Sequence, residues 1–141
     1  MAKKPVTKSG DAASTATAKP KSALKRKMAY AQLHIQSTYN NTKVVLTDEK
    51  GNSVVLSSAG ALGFKGAKKG TPFAAAKIGE VVADKAIAMG VKEVGVIIKG
   101  TGSGRESVVR SFISKGISVD SITDKTPVPF NGPKPKKPRR I

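Results

Sequence analysis

TPFAAAKIGEVVADKAIAMGVKEVGVII, running from Thr71 to Ile98, spells a helix, a stop and a strand in that order. Thr71 offers an N-cap oxygen, and Pro72 suits the first helical position, where a missing N–H costs nothing. Ile78, Val81, Val82, Ala86 and Met89 recur at three- and four-residue spacing and make one apolar stripe. Gly90 follows as the residue past the C-cap. Val94 to Ile98 is then a nearly continuous apolar run, the pattern of a strand buried on both faces.

Downstream, Gly100-x-Gly-x-Gly104 leads into a second helical segment, Arg105 to Lys115, with Val108, Val109, Phe112 and Ile113 as its inward set. Gly116 closes it, and Ile117, Val119 and Ile122 mark a last strand. Upstream, Ala31, Leu33 and Ile35 alternate with Gln32, His34 and Gln36, which is a half-buried strand starting at Tyr30. Asn40-Asn41 breaks it. Lys43 to Thr47 and Ser53 to Ser57 are two more strands, joined by the turn residues Asp48 to Asn52. The order is β-β-β-α-β-α-β. A meander followed by strand–helix crossovers predicts an α/β domain with a mixed sheet and helices packed on it.

The chain has 141 residues and a net charge of +17. That length suits one domain with a proper core. Thirteen of the seventeen excess charges fall in residues 1–30 and 125–141. The last seventeen residues hold six Lys or Arg, five Pro and no acid. Proline blocks a helix there, and too little apolar surface is present for a core. Residues 125–141 therefore read as an extended cationic arm, residues 29–124 as the domain, and residues 1–28 as a disordered basic extension. A polyanion is the natural counterpart of such arms. The chain has no Cys and one His, His34, which leaves no thiolate chemistry and no Cys- or His-based metal site. No apolar run approaches a membrane span and no secretory signal pattern is present, so the expected location is the cytoplasm.

Two loops invite a functional reading. Gly100 to Gly104 sits between a strand and a helix, where free backbone N–H groups and the helix dipole favour a phosphate. Arg105 would add a bidentate donor. The plainer reading is a tight turn that needs glycine for backbone shape alone. The spacing is neither the dinucleotide fingerprint nor a P-loop. Residues Gly63 to Thr71 carry Lys65, Lys68 and Lys69 beside Phe64. The lysines suit phosphate contact. Phe64 either stacks on a base or plugs the edge of the core. The acids are scattered, and Glu80 and Asp84 share a solvated helix face.

Several stretches together carry a family resemblance. His34-Ile-Gln-Ser-Thr-Tyr-Asn-Asn-Thr42, Gly63-Phe-Lys-Gly66, Lys69-Gly-Thr-Pro-Phe-Ala-Ala75, Lys99-Gly-Thr-Gly-Ser-Gly-Arg-Glu106, Ile122 to Pro129 and Asn131-Gly132 closely resemble the signatures of bacterial small-subunit ribosomal protein number eleven. The match runs in order over about residues 29–141. Thr101, Phe130 and Pro133 depart from the usual Pro, His and Cys of that pattern.

The resemblance implies a ribonuclease-H-like domain in the platform of the small ribosomal subunit. It implies contact with the central domain of the small-subunit ribosomal RNA and with neighbouring ribosomal proteins, near the mRNA exit channel, with no cofactor, metal or membrane. The implied RNA-binding residues are Asn40, Asn41, Phe64, Lys65, Gly66, Lys68, Lys69, Thr71, Gly100, Gly102, Gly104, Arg105, Asn131, Lys134, Lys136, Lys137, Arg139 and Arg140. Two alternatives are a free basic-armed RNA- or DNA-binding protein and a ribonuclease-H-like nuclease. The nuclease chemistry needs a carboxylate on the first strand to bridge two metals, and that strand has none.

Overall fold

A computed structural model describes residues 27–140, so the expected N-terminal extension lies almost entirely outside the described residues. Five strands and two helices form: β1 (Tyr30–Ser37), β2 (Thr42–Thr47), β3 (Ser53–Ser58), α1 (Pro72–Ala88), β4 (Glu93–Lys99), α2 (Arg105–Ser114) and β5 (Ser118–Asp124). Two short 3₁₀ turns, Gly60–Leu62 and Gly66–Gly70, fill the connection from β3 to α1. The sheet order is β3-β2-β1-β4-β5. β1 pairs antiparallel with β2, and β2 with β3, whereas the β1–β4 and β4–β5 pairs are parallel.

The alternation in β1 decides which face is covered. Ala31, Leu33, Ile35 and Ser37 are buried, while Gln32 and His34 are only half-buried and Gln36 is exposed. Ala74, Ala75, Ile78, Val82, Ala83, Ala86 and Met89 of the α1 segment join Val108, Val109 and Phe112 of α2 over that face. The helices pack closely because Gly79 meets Ser111: a Cβ on Gly79 would lie 2.8 Å from the Ser111 Cβ. The Ser111 hydroxyl donates to the Ala76 carbonyl at 3.0 Å, which ties α2 to α1.

The helix ends follow the sequence signals. Thr71 caps α1, its Oγ1 accepting from the Ala74 amide at 3.3 Å, and Pro72 occupies the first turn. Gly90 and Gly116 follow the two C-caps at φ 82° and 87°, the left-handed region where glycine carries no Cβ penalty. The chain enters the fold at Met28, whose amide donates to the Met89 carbonyl at 3.1 Å and whose side chain packs against the core.

Two sequence expectations are corrected. β4 is not buried on both faces: α1 and α2 pack over a single face, so Ile97, in register with His34 on the other face, stays half-buried. Ile113 is 57% exposed. It follows Phe112, and neighbouring helical residues point about 100° apart, so only one of them faces the sheet. Ile122 is 60% exposed because β5 is an edge strand with a neighbour on one side only.

Phe112→Ala is expected to cost about 3–5 kcal/mol of unfolding free energy, Thr71→Ala about 1 kcal/mol, and Ile113→Ala no more than about 0.5 kcal/mol. Urea denaturation of the three variants checks the order.

Candidate nucleic-acid interface

The topology gathers four connections at one end of the sheet. β1, β4 and β5 run parallel, so Ser37, Lys99 and Asp124 end them on the same side. The turn from β1 to β2, the long connection from β3 to α1, the glycine loop from β4 to α2 and the root of the C-terminal arm all lie there. Both helices also begin there, which brings two positive dipole ends to the same region.

Hydrogen bonds knit these segments together. The Gly102 amide donates to the Ser37 carbonyl at 3.0 Å. Ser103 Oγ donates to the Gly70 carbonyl at 3.2 Å. The Gly100 amide donates to Thr126 Oγ1 at 3.2 Å, which fixes the arm root to the glycine loop. The approach tolerates no side chain at several points: a Cβ on Gly100 would overlap the Ser37 carbonyl, one on Gly102 would overlap Ser37 Oγ and the Thr38 carbonyl, and one on Gly70 would overlap the Tyr39 carbonyl.

These bonds revise the expected role of the glycine loop. The amides of Gly100 and Gly102 are committed to Thr126 and Ser37, so these two glycines set the loop's shape and are not free anion donors. Gly104, the N-cap residue of α2, is buried against Ala75 and Thr42. Arg105 turns back on the loop, donating from Nε to the Gly102 carbonyl at 3.1 Å and from Nη1 to the Gly100 carbonyl at 3.3 Å. Two of its five N–H donors are thereby spent on positioning. The amides of Thr101, Ser103 and Gly104 make no hydrogen bond among the described residues.

Other expected residues divide in the same way. Asn41 shapes the β1–β2 turn, its Oδ1 accepting from the Thr42 amide at 3.0 Å, while Asn40 is exposed. Thr71 uses its hydroxyl twice, as the α1 cap and as a donor to the Lys68 carbonyl at 2.7 Å. Gly66, at φ 60°, opens the 3₁₀ turn that carries Lys68 and Lys69. Lys65 and Lys68 are exposed and Lys69 is half-buried. None of the three is ion-paired with a carboxylate among the described residues. Residues 127–140 form no helix or strand and are exposed throughout, including Asn131, Lys134, Lys136, Lys137, Arg139 and Arg140.

The structure decides between the two readings of Phe64 and exposes a second ring that the sequence reading passed over. Phe64 is half-buried and packs against the core, so it plugs the core edge. Phe73, passed over as part of the α1 start, is 64% exposed. The rings meet edge-to-face at 6.1 Å and 82°, and Lys77 Nζ lies 5.7 Å from the Phe73 centroid. The missed signal was the absence of Phe73 from the apolar stripe of α1.

Two acids lie at this end, and both are engaged. Glu106 pairs with Arg110 at 3.6 Å. Asp124 Oδ1 accepts from Thr126 Oγ1 at 2.6 Å and from the Thr126 amide at 2.9 Å. The Thr126 hydroxyl, then the Thr126 amide, and to a lesser degree the Arg105 charge hold the Asp124 carboxyl below its ordinary range. Asp48, Glu49 and Glu93 lie at the opposite end of the sheet, in the β2–β3 turn and at the start of β4.

Fold and charge define a class: a mixed α/β domain with cationic loops and a cationic arm gathered at one end of its sheet. The family model described as Ribosomal protein S11 matches residues 31–140, and the chain belongs to that family. It is 47% identical over 112 residues to the Small ribosomal subunit protein uS11 of Thermotoga maritima, covering 79% of this chain and 86% of that protein. The family is structural and non-enzymatic.

Because the Asp124 carboxyl titrates below its ordinary range, the clasp on Thr126 is fully present above that range and is lost as pH falls below it. The Thr126 amide proton is expected to hold its chemical shift from neutral pH down to the ordinary carboxylate range and to move only in stronger acid. Asp124→Asn removes that transition; NMR titration of both proteins checks it.

Proposed function

We propose that this sheet end and the C-terminal arm seat the protein on the central domain of the small-subunit ribosomal RNA, in the platform and near the mRNA exit channel. The chain is a structural constituent of the small ribosomal subunit and works in the cytoplasmic ribosome. The observation that carries the finer reading is the convergence at one sheet end of all four segments that the sequence resemblance assigns to RNA. The segments are far apart in the chain, and the strand order alone brings them together. The order β3-β2-β1-β4-β5, with a parallel β1–β4–β5 half, also supports the ribonuclease-H-like reading of the domain.

The chemistry of this end suits a folded RNA. Rigid loops present lysines with no carboxylate partner, Phe73 presents an open aromatic surface beside Lys77, and the arm adds charge on a proline-stiffened backbone. Phosphates are neutralised by the cations, and an unstacked base finds a ring to rest on. Stiffness lowers the entropy lost when the arm docks. No strand-borne carboxylate is available in β1 for two-metal hydrolysis, so the scaffold supports binding without the nuclease chemistry. Family membership favours the ribosome over a free basic-armed binder.

Phe73→Ala is expected to weaken binding to a transcribed central-domain fragment at least fivefold while leaving the melting temperature near that of the wild type, since base stacking on an aromatic contributes about 1–3 kcal/mol. Phe64→Ala should instead lower the melting temperature. Filter binding and thermal melts separate the two.

Deleting residues 131–141 is expected to leave a folded domain whose RNA affinity falls and whose salt dependence becomes shallower. The deletion removes Lys134, Lys136, Lys137, Arg139 and Arg140. If most of them meet phosphates, the slope of log affinity against log salt should drop by about three to four. An unchanged slope would place the phosphate contacts elsewhere.

A further inference from the structure

The face of the sheet away from the helices is open, and its chemistry is organised by strand register. Lys43 of β2 pairs across from Gln36 of β1, which pairs in turn with Lys99 of β4. These three residues form one row across three strands. With strands about 4.8 Å apart, the two lysine backbones lie roughly 10 Å from one another. The next row holds Val45, His34, Ile97 and Thr123. Lys125 follows Thr123 by two residues, so strand alternation puts it on the same face, and its amide continues the ladder by donating to the Ile98 carbonyl at 2.9 Å. A depression of about 150 Å³ sinks between the rows, lined by His34, Gln36, Lys43, Val45, Ile97 and Lys99.

Lys43, Lys99 and Lys125 make no ion pair with a carboxylate among the described residues. Two of them act on His34: burial first, then Lys99 and Lys125, hold its imidazole below the ordinary histidine range. Its Nε2 lies 3.3 Å from Thr47 Oγ1. Three like charges around one half-buried ring repel each other in the free protein, and an anion relieves that repulsion. The row also abuts the interface already described. Lys43 follows the Asn40–Asn41 turn, Lys99 precedes Gly100, and Lys125 precedes Thr126. A strand of phosphates leaving the loop end meets this row next. Apart from the half-buried His34 imidazole, the row and its neighbours carry no aromatic ring, so they suit phosphate contact more than base stacking.

We propose that the RNA footprint turns the corner of the sheet, and that Lys43, Gln36 and Lys99, with Lys125 beside them, form a second phosphate-binding track on the open face. The inference rests on the RNA-binding reading of the loop end and extends it to a surface outside the loops and the arm.

His34 is the only histidine in the chain, so its ring protons are a unique NMR reporter at the centre of the track. The full chain is titrated with pH, alone and bound to a transcribed central-domain fragment. Filter binding of wild type and the Lys43→Ala/Lys99→Ala double variant runs in parallel. On the proposal, the RNA raises the His34 pKa, because phosphate cancels the lysine repulsion. The double variant then binds roughly tenfold more weakly, with a salt slope shallower by about two. Both side chains are exposed, so the variant keeps its melting temperature. Tight RNA binding with an unmoved His34 titration and a double variant equal to wild type would overturn the track while leaving the loop interface standing. No binding by any version of the chain would overturn both readings. A His34 shift caused by poly-glutamate but not by the RNA would overturn the track in favour of an acidic polypeptide.

Discussion

The parallel pairing of β1 with β4 is the constraint on which the rest of the molecule depends. Parallel neighbours cannot be joined by a hairpin, so the chain must return across the sheet before each of them. The first return is α1 and the second is α2. Each helix therefore starts where β1, β4 and β5 end. The same geometry puts the β1–β2 turn and the arm root at that end. The opposite end receives the short connections: the Asp48–Asn52 turn, Gly90 to Lys92, and Gly116 to Ile117. A cationic end and an end bearing Asp48, Glu49 and Glu93 are thus products of strand direction combined with loop composition.

Much of this was legible in the sequence because it is local. The Thr71-Pro72 start, the stripe through Ile78 and Val82, and the glycines at 90 and 116 are decided by backbone chemistry within a turn or two. The alternation of Ala31, Leu33 and Ile35 is as direct. What failed was tertiary in origin. The run Val94 to Ile98 gives no sign that one sheet face would lack a helix. Both helices lie on one side, where Gly79 and Ser111 let them pack closely, and a local apolar run carries no trace of that arrangement. Phe64 and Phe73 are equally apolar in the sequence, and which of them faces the core depends on how the 3₁₀ turns of the connection settle. The resemblance implies which residues form the proposed interface, but their division into shape-givers and cations without a carboxylate partner was not legible. That division depends on bonds between segments such as Gly100 with Thr126 and Ser103 with Gly70.

The glycine loop shows why the two readings of such a motif need not compete. Its glycines are required sterically, since Gly102 lies against the end of β1 with no room for a Cβ. Its carbonyls at Gly100 and Gly102 are taken up by Arg105. A bare carbonyl repels phosphate, so a guanidinium that caps two of them turns a mixed surface into a cationic one while holding the loop in shape. Arg105 then acts first through the loop, and through its remaining donors second. A substitution there changes shape and charge together, whereas the same change at Lys68 or in the arm alters charge alone. On the proposed RNA-binding reading that difference matters: exposed lysines would supply attraction that tolerates many geometries, and the bonded cluster of Ser37, Gly70, Gly102, Arg105 and Thr126 would fix the geometry in which the attraction is used.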